Sequence, residues 1–371
     1  MELYVDREEL GRGLARVQGI IERRSTQPIL AHVLLHAREG KLHLSATDTE
    51  VSYLGEIAAN TKVSGEIAVD AAQLFQVVRS MPGPTLTLKV GEGYRLEVAT
   101  GRSAFKLNGV AAEEFPPLAT FEAKATARLA ERELRRLVEQ VSFSVATEDV
   151  RWGLNGAHAE ERKVGEERRL RLVATDGHRL ASAEAPFEGE FRFAPRTLIP
   201  RKALAVMRRL LEGDAAQVEI DFGDNALQLR RPGESFWFRL LDGEFPDYRA
   251  VVPTDSRHAA TLRRSELVQT LRRAIILVAE RNRSVKFTFS EDELVVHVQN
   301  ADRGEVKESL PCELDGGDIT VGFNVKYLAE ALNALQGERV VLSLAHPLAP
   351  CLVRDPDHDD AFFVVMPMRL D

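Results

Sequence analysis

Three stretches of this chain repeat one helical pattern: Asp6-Arg-Glu-Glu-Leu-Gly-Arg-Gly-Leu-Ala-Arg-Val17, Ala130-Glu-Arg-Glu-Leu-Arg-Arg-Leu-Val-Glu139 and Arg264-Ser-Glu-Leu-Val-Gln-Thr-Leu-Arg-Arg-Ala-Ile275. The copies begin about 125 residues apart, and internal similarity at a fixed period marks repeated structural units. We therefore expect three similar domains within one polypeptide.

A second helical pattern lies deeper in each repeat, within 69–78, 199–207 and 322–332. The first two repeats close on Phe115-Pro-Pro-Leu118 and Phe245-Pro-Asp-Tyr248, and proline with small polar residues follows, as is typical of domain linkers. A chain of 371 residues suits two or three domains. We predict domains at 1–120, 126–253 and 258–371.

The segments between the helices alternate apolar and polar residues with period two, for example in Lys41–Thr47, Gln217–Phe222 and Glu293–Val298. Such alternation predicts strands with one buried and one wet face. Short turns such as Gly223-Asp-Asn225 indicate hairpins. Each repeat is therefore predicted to be α+β, with two helices packed on antiparallel sheets.

The opening helix of each repeat has an apolar stripe opposite a face rich in arginine. The net charge is −8, which by itself argues against nucleic-acid binding, but segregated charges give an acidic protein a basic face. The predicted core stripes are Leu10, Leu14, Val17 and Ile21 in the first helix, Leu134, Leu137, Val138 and Val141 in the second, and Leu267, Leu271, Ile275 and Val278 in the third.

Composition narrows the class of protein. No apolar run reaches the length of about 18 residues that a membrane span requires, and the first residues lack an export signal. The two cysteines, Cys312 and Cys351, are far apart, which fits a reducing compartment. We expect a cytoplasmic protein. The common phosphate-loop, dinucleotide, zinc-protease and serine-hydrolase motifs are missing, so no cofactor is predicted.

Three clusters leave alternatives open. Asp176, His178 and Arg179 suggest acid–base chemistry, or a turn between two strands. His32 and His36 share a strand face and suggest two metal ligands without a third, or a packed strand. The acidic run 355–360 suggests a divalent cation, or a solvated hairpin turn. Because of the first cluster, an enzyme remains an alternative function. A further alternative is a repeat scaffold that never touches DNA.

Specific motifs then carry a resemblance that covers essentially the whole chain. They are Leu154-Asn-Gly156, Val173-Ala-Thr-Asp-Gly-His-Arg-Leu180, Ile199-Pro-Arg-Lys202, Asp242-Gly-Glu-Phe-Pro-Asp-Tyr248, Gly322-Phe-Asn-Val-Lys-Tyr-Leu328, Leu332-Asn-Ala-Leu335 and Val364-Val-Met-Pro-Met-Arg-Leu370. Together they resemble the bacterial DNA polymerase III beta subunits, the replicative sliding clamps. The resemblance implies a DNA clamp fold and a protein without catalytic activity, metal or cofactor.

The resemblance also implies that each chain forms half of a closed ring, a head-to-tail homodimer that encircles duplex DNA without reading its sequence and confers processivity on the polymerase. If two helices per domain line the hole at a spacing of about 9 Å, six domains enclose a hole of about 35 Å and three domains a hole of about 17 Å. A DNA duplex is roughly 20 Å wide, so one chain is not enough. Implied partners are the DNA polymerase III alpha subunit, a clamp loader, and repair and translesion polymerases. No membrane partner is implied.

Site residues carried over from the family fall into three groups. The DNA-facing residues are Arg23, Arg24, Arg79 and Trp152. A peptide cleft between the second and third domains is implied at Leu154, Thr175, Gly177, His178, Arg179, Leu180, Pro246, Val251, Val364, Met366, Pro367, Met368 and Arg369. The dimer contacts are Phe105 and Leu107 on one edge, with Ile276 and Leu277 on the other.

The chain departs from the family pattern at several positions. Asp371 adds a carboxylate near the cleft, while Ala250 and Pro350 alter its rim. Glu148 and Gly153 predict weaker DNA contact nearby, and the segment 157–169 is longer and more charged than usual.

Overall fold

The computed structural model describes residues 1–21, 27–118, 121–147, 152–189, 197–211, 217–278 and 284–370. The chain divides into two compact units. One unit comprises Met1–Arg132, Glu188–Arg192 and Ala205–Leu240, and the other comprises Glu133–Phe187, Phe193–Leu204 and Leu241–Asp371. No helix in the described ranges has the length and apolar character needed to cross a membrane.

All the predicted helices are confirmed: α1 (Arg7–Gln18), α2 (Ala71–Ser80), α3 (Glu131–Ser142), α4 (Arg201–Leu210), α5 (Arg264–Leu277) and α6 (Val325–Ala334). Helix α1 begins where the Asp6 carboxylate accepts hydrogen bonds from the amides of Glu8 and Glu9 at 2.9 Å. Helix α1 packs on α2 in the first unit, and α5 packs on α6 in the second. The helical apolar stripes position the helices against their sheets.

One core prediction was wrong. Ile275, expected on the buried stripe of α5, is 40% exposed, because Ala274 occupies the buried position after the fully buried Leu267 and Leu271. Ile276 beside it is 69% exposed. The end of α5 is therefore an apolar surface.

A twelve-stranded antiparallel sheet lies in the first unit. Its spatial order is β1-β6-β7-β8-β5-β2-β3-β4-β16-β15-β14-β9, and β1 also pairs with β4. The strands are β1 (Glu2–Asp6), β2 (His32–Arg38), β3 (Lys41–Thr47), β4 (Val51–Val63), β5 (Gly65–Asp70), β6 (Thr85–Gly91), β7 (Arg95–Thr100), β8 (Ser103–Val110), β9 (Ala125–Ala130), β14 (Gln217–Phe222), β15 (Ala226–Arg231) and β16 (Glu234–Arg239).

Two sheets lie in the second unit. The nine-stranded sheet has the order β13-β10-β11-β12-β25-β24-β23-β17-β21, with β10 (Gly156–Val164), β11 (Glu167–Thr175), β12 (Arg179–Pro186), β13 (Leu198–Pro200), β17 (His258–Arg263), β21 (Glu313–Asp315), β23 (Arg339–Leu344), β24 (Cys351–Arg354) and β25 (Ala361–Val365). The five-stranded sheet has the order β20-β19-β18-β22-β26, with β18 (Ser284–Phe289), β19 (Glu293–Asn300), β20 (Gly304–Pro311), β22 (Ile319–Asn324) and β26 (Pro367–Met368).

The predicted middle domain contributes strands to both units. Its β16 pairs with β4 in the twelve-stranded sheet, and its β12 pairs with β25 in the nine-stranded sheet. The division into two units therefore follows the continuous sheets. The domain boundaries 1–120, 126–253 and 258–371 stay predictions.

Candidate functional site

A tight turn from Thr175 to Arg179 joins β11 to β12. The Thr175 hydroxyl donates to the Arg179 carbonyl at 2.6 Å, and Gly177 takes a φ of +86°, which favours glycine. The Asp176 carboxylate accepts hydrogen bonds from the amides of His178 at 3.0 Å and Arg179 at 3.1 Å. This geometry is the structural alternative of the sequence analysis: Asp176 fixes the turn and lies in an ion pair with Arg179.

Arg179 has partners from three parts of the chain. Its guanidinium donates to Asp176 at 3.0 Å, to Glu330 on α6 and to the Phe143 carbonyl after α3. It also lies 4.4 Å from the centre of the Tyr327 ring. Arg179 is therefore a structural tie, and the exposed His178, whose ring stacks on Tyr327 at 6.2 Å, is the more accessible side chain of the turn.

The chain end lies directly beside this turn. The Met366 amide donates to the His178 carbonyl at 2.9 Å, and Pro367 and Met368 pair with Phe323 and Gly322 on β22. Met366, Pro367 and Met368 are half-buried, and Arg369 is exposed. The structure thus brings the predicted methionines to the predicted turn.

Beneath these residues lies an apolar floor. Leu180 on β12 is opposite Val364 on β25, and both are nearly fully buried among Val173 and Tyr248. Leu154 is also buried, whereas Pro246 is exposed and Val251 is 44% exposed. The buried residues of the predicted cleft, Leu154, Leu180 and Val364, thus lie beneath the more exposed ones.

Sequence reasoning missed two side chains at this end of the sheet. Leu348 is 61% exposed in the loop between β23 and β24, and β24 starts at Cys351, opposite Val365. Tyr327 stacks on His178. The available signal for Leu348 was an apolar residue inside Ala345-His-Pro-Leu-Ala-Pro350, a turn composition that a core residue rarely occupies.

The opposite end of the same sheet face carries buried charges. Glu184, 3% exposed, pairs with Arg162 at 2.9 Å, Arg171 at 2.5 Å and Arg169 at 3.5 Å. Burial raises the pKa of Glu160, but the nearby His158 ring and the hydrogen bond from the Tyr248 hydroxyl outweigh it and lower this pKa to about 2. These charges satisfy one another and define no acid–base pair.

The helices carry two kinds of arginine. Arg79 on α2 is exposed, and its guanidinium lies over the Phe75 ring. Arg201 and Arg208 on α4 and Arg272 on α5 are also exposed. Arg264, in contrast, donates to the Gly337 and Leu332 carbonyls after and within α6. The arginines that recur on the helices of the three repeats therefore include both exposed residues and residues that hold the fold together.

Several predicted positions lie outside the described residues: Arg23, Arg24, Glu148 and Asp371, together with the Trp152 side chain. The structure explains why position 153 is a glycine, because the Cβ of any larger residue there would lie 2.3 Å from the Glu244 carbonyl oxygen. The charged segment 157–169 forms a β10–β11 hairpin whose turn includes Gly165 at a φ of +62°.

Of the predicted dimer residues, Phe105 and Leu107 lie on β8, and Ile276 and Leu277 lie at the end of α5. In the first unit, β8 pairs with β5 only at Gly109 and Val110, so its Phe105 is 43% exposed and Leu107 half-buried. On its other side, β8 pairs with β7 along Ser103–Asn108, so among the described strands this stretch has one partner strand. In the second unit, β20 pairs with β19 and with no other strand of the described residues, and the nearby α5 exposes Ile276 with Leu277 half-buried.

The metal alternatives find little support. Across the described ranges, no three His, Cys, Asp or Glu side chains cluster as metal ligands do. In the acidic run, Asp357 pairs with Arg339 at 2.8 Å and Asp360 with Arg136 at 2.7 Å. His36 lies 3.8 Å from Glu66.

Family comparisons cover the chain from end to end. The models described as the N-terminal, central and C-terminal domains of the DNA polymerase III beta subunit match residues 1–119, 128–247 and 249–369. The beta sliding clamp of Escherichia coli K12 is 35% identical over 372 residues, and that of Caulobacter vibrioides is 33% identical over 372 residues, each covering 100% of both chains.

Solved structures agree with these sequence matches. A Caulobacter crescentus beta sliding clamp with bound PEG is 33% identical with a TM-score of 0.94, and a Pseudomonas aeruginosa sliding clamp bound to griselimycin is 34% identical with a TM-score of 0.94. Each covers 100% of both chains. The chain therefore belongs to the bacterial DNA polymerase III beta subunits, the beta sliding clamps, which are non-catalytic processivity subunits of DNA replication.

Proposed function

We propose that two copies of this chain close head to tail into a ring that encircles duplex DNA in the cytoplasm and tethers the replicative polymerase to it. The observation that carries this proposal is the match of three consecutive clamp domains at residues 1–119, 128–247 and 249–369. With two helices per domain, one chain supplies too few helices for a hole that admits a duplex, and two chains supply enough. The ring needs no catalytic group of its own.

The free edges support head-to-tail closure. A strand edge without a partner is a template for another strand. In the described residues, the Ser103–Asn108 stretch of β8 pairs with β7 alone and β20 pairs with β19 alone, and pairing these two unlike edges generates a closed ring of two chains. Phe105 on β8 and Ile276 beside β20 supply apolar area. Lys106 on β8 and Glu305 on β20 supply opposite charges.

Exposed arginines support sequence-independent DNA contact. Guanidinium groups attract phosphates without distinguishing bases. Arg79, Arg201, Arg208 and Arg272 lie exposed on three helices. We propose that such residues, with Arg23, Arg24 and Trp152, face the DNA, and that a separate clamp loader opens the ring.

The oligomeric state tests ring closure. Sedimentation velocity should give the mass of two chains for the protein and of one chain for Phe105→Glu and Ile276→Glu, because a buried unpaired carboxylate opposes association. Val63 and Val164 are exposed apolar residues away from the predicted edges, so Val63→Glu and Val164→Glu serve as matched controls that should stay dimeric. A monomeric unaltered protein, or dimeric edge variants, would contradict the proposed interface.

We further propose that the surface formed by Thr175–Arg179, Val251, Leu348 and Met366–Arg369, above the floor of Leu154, Leu180 and Val364, binds peptides of the DNA polymerase III alpha subunit, the clamp loader, and repair and translesion polymerases. Flexible methionines beside an apolar surface suit several peptide sequences. The Pseudomonas aeruginosa relative binds griselimycin, and we expect this chain to bind it too.

Fluorescence anisotropy can test the peptide proposal. Labelled peptides that scan the alpha subunit in overlapping windows should include at least one with micromolar affinity. Met366→Glu should abolish this binding and should leave the secondary structure, followed by circular dichroism, unchanged. Exposed Leu370 provides the control Leu370→Gln. Binding that survives Met366→Glu would place the peptide elsewhere.

A further inference from the structure

A cavity of about 640 Å³ opens at the far end of the nine-stranded sheet, beside the turn 355–360 that joins β24 to β25. Its floor is apolar and consists of Val252, Leu352, Phe362 and the ring of Tyr248. Charged side chains form its walls. An apolar floor with a few polar groups around it is the usual composition of a binding site.

Nearly every charged group of the walls already has a partner. Glu184 holds Arg162 and Arg171, and Arg249 pairs with Glu160 at 2.7 Å. On the opposite wall, Asp355 accepts from His358 at 3.0 Å and Asp360 pairs with Arg136. Asp359 is exposed and makes no hydrogen bond or ion pair within the described residues.

Among the cationic side chains of the walls in the described residues, Arg354 is the exception. Its side chain is exposed at the cavity, and it makes no hydrogen bond or ion pair with any residue in the described ranges. The adjoining floor residue Leu352 is only partly buried. The cavity therefore offers one uncompensated guanidinium beside open apolar surface, which is complementary to an apolar side chain next to a carboxylate.

The cavity is continuous with the proposed peptide surface on the same sheet face. Leu352 is directly opposite Val364, and Phe362 is opposite Ser182, two residues along β12 from Leu180. At about 3.3 Å per residue, the step from Leu180 to Ser182 is about 7 Å. Two extended residues of a bound peptide span this distance.

We propose that this cavity is a second peptide subsite, which takes a flanking segment of a partner protein in which an aromatic side chain is followed by Asp or Glu. The aromatic side chain packs on Leu352, Phe362 and Val252, and the carboxylate accepts hydrogen bonds from Arg354. This inference rests on the proposed peptide function and adds specificity to it.

The first arm of the test uses the cavity alone. Methyl NMR of the full-length protein with acetyl-Phe-Glu-amide should show saturable shifts at Leu352 and Val252, with a Kd in the millimolar range. Acetyl-Phe-Gln-amide should bind about threefold more weakly, because exposed ion pairs contribute little. No shift at these methyls with 10 mM peptide (about ten times the expected Kd) would overturn the inference.

Variants assign the contact. Arg354→Gln should remove the preference for Glu over Gln while retaining the shifts at Leu352, whereas the exposed, weakly paired Arg263 gives the control Arg263→Gln, which should keep the preference. A preference that persists in Arg354→Gln would contradict the assigned role of Arg354. The preference should also shrink at high salt.

The second arm tests the connection to the peptide surface. An alpha-subunit peptide that binds in the anisotropy experiment is extended at either end with Gly-Gly-Phe-Glu or with Gly-Gly-Gly-Gly. One Phe-Glu extension should tighten binding roughly tenfold through apolar burial. Equal affinities of both extensions at both ends would overturn the second subsite, even while the parent peptide supports the proposed function. If no parent peptide binds, the proposed function fails and the dipeptide still decides about the cavity.

Discussion

The two ends of the nine-stranded sheet use the same face in opposite ways. At the Thr175 end, Met366 and Leu348 expose apolar surface, and Arg179 is held by two carboxylates and a carbonyl. At the far end, the Glu184 carboxylate is buried and holds arginines, whereas the exposed Arg354 guanidinium has no partner among the described residues. An arginine near a candidate site therefore has to be judged by its partners.

This contrast separates stability from recognition. Buried charged groups are sensitive to losing a partner, because the remaining charge stays desolvated. Exposed apolar side chains contribute little to folding and much to association. Variants at the far end should therefore change mainly the free energy of unfolding, and variants at the Thr175 end mainly binding.

The largest effect is expected from Glu184→Ala. Removing this carboxylate leaves Arg162 and Arg171 without their shared partner, and we expect the free energy of unfolding to fall by about 3–5 kcal/mol. Urea denaturation measures this change. The exposed carboxylate of Asp359 provides the control, and Asp359→Ala should change stability by less than about 0.5 kcal/mol. Equal effects of both variants would remove the distinction between the two ends.

Acid sensitivity should be centred on Glu160. Its pKa falls from 4.5 to about 2 on folding, so its stabilising contribution is complete above about pH 4.5 and is lost as the pH falls toward 2. The contribution is on the order of 3 kcal/mol. Urea unfolding between pH 5 and pH 3 should show a shallower loss of stability for Glu160→Gln than for the unaltered protein. Parallel pH profiles would contradict the assignment.

Arg179→Ala should act on both properties. It removes bonds to Asp176 and Glu330, and we expect a loss of about 2 kcal/mol together with faster hydrogen exchange at the Met366 amide, which donates to the His178 carbonyl. Arg179→Lys retains a charge and should recover part of the stability. If Arg179→Ala weakened peptide binding without changing exchange at Met366, Arg179 would be a direct contact instead.

The smallest stability effect is expected from Met366→Ala. The half-buried Met366 side chain should contribute less than about 1 kcal/mol to folding, while peptide affinity should fall roughly tenfold. Leu180→Ala in the buried floor is the counterpart and should lower stability by about 2–5 kcal/mol. Calorimetric unfolding and anisotropy on both variants measure the two quantities.

Local patterns sufficed to predict the helices and many strands. The stripe of Leu134, Leu137, Val138 and Val141 is fully buried, and the strand predicted at Lys41–Thr47 is β3. Ile275 failed because periodicity cannot tell where a helix runs past its sheet. Pairing of β4 with β16 and of β12 with β25 joins residues far apart in sequence, which no local pattern encodes.

The candidate site was only partly predictable for the same reason. The Thr175–Arg179 turn follows from its own residues, since Asp176 and Gly177 supply the bonds and the backbone conformation. The hydrogen bonds of Arg179 to Phe143 and Glu330 depend on tertiary structure, which brings these residues to it. Burial of Leu180 and Val364 likewise depends on the segment around Tyr248 that covers them.

Retention on DNA tests encirclement most directly. The protein is loaded onto nicked circular DNA with a clamp loader and ATP, and gel filtration separates bound from free protein. We predict that the protein remains with the circle at high salt and is released when a restriction enzyme linearises the DNA, because the link is topological. Loss from the closed circle at high salt, or retention after linearisation, would contradict the proposed ring.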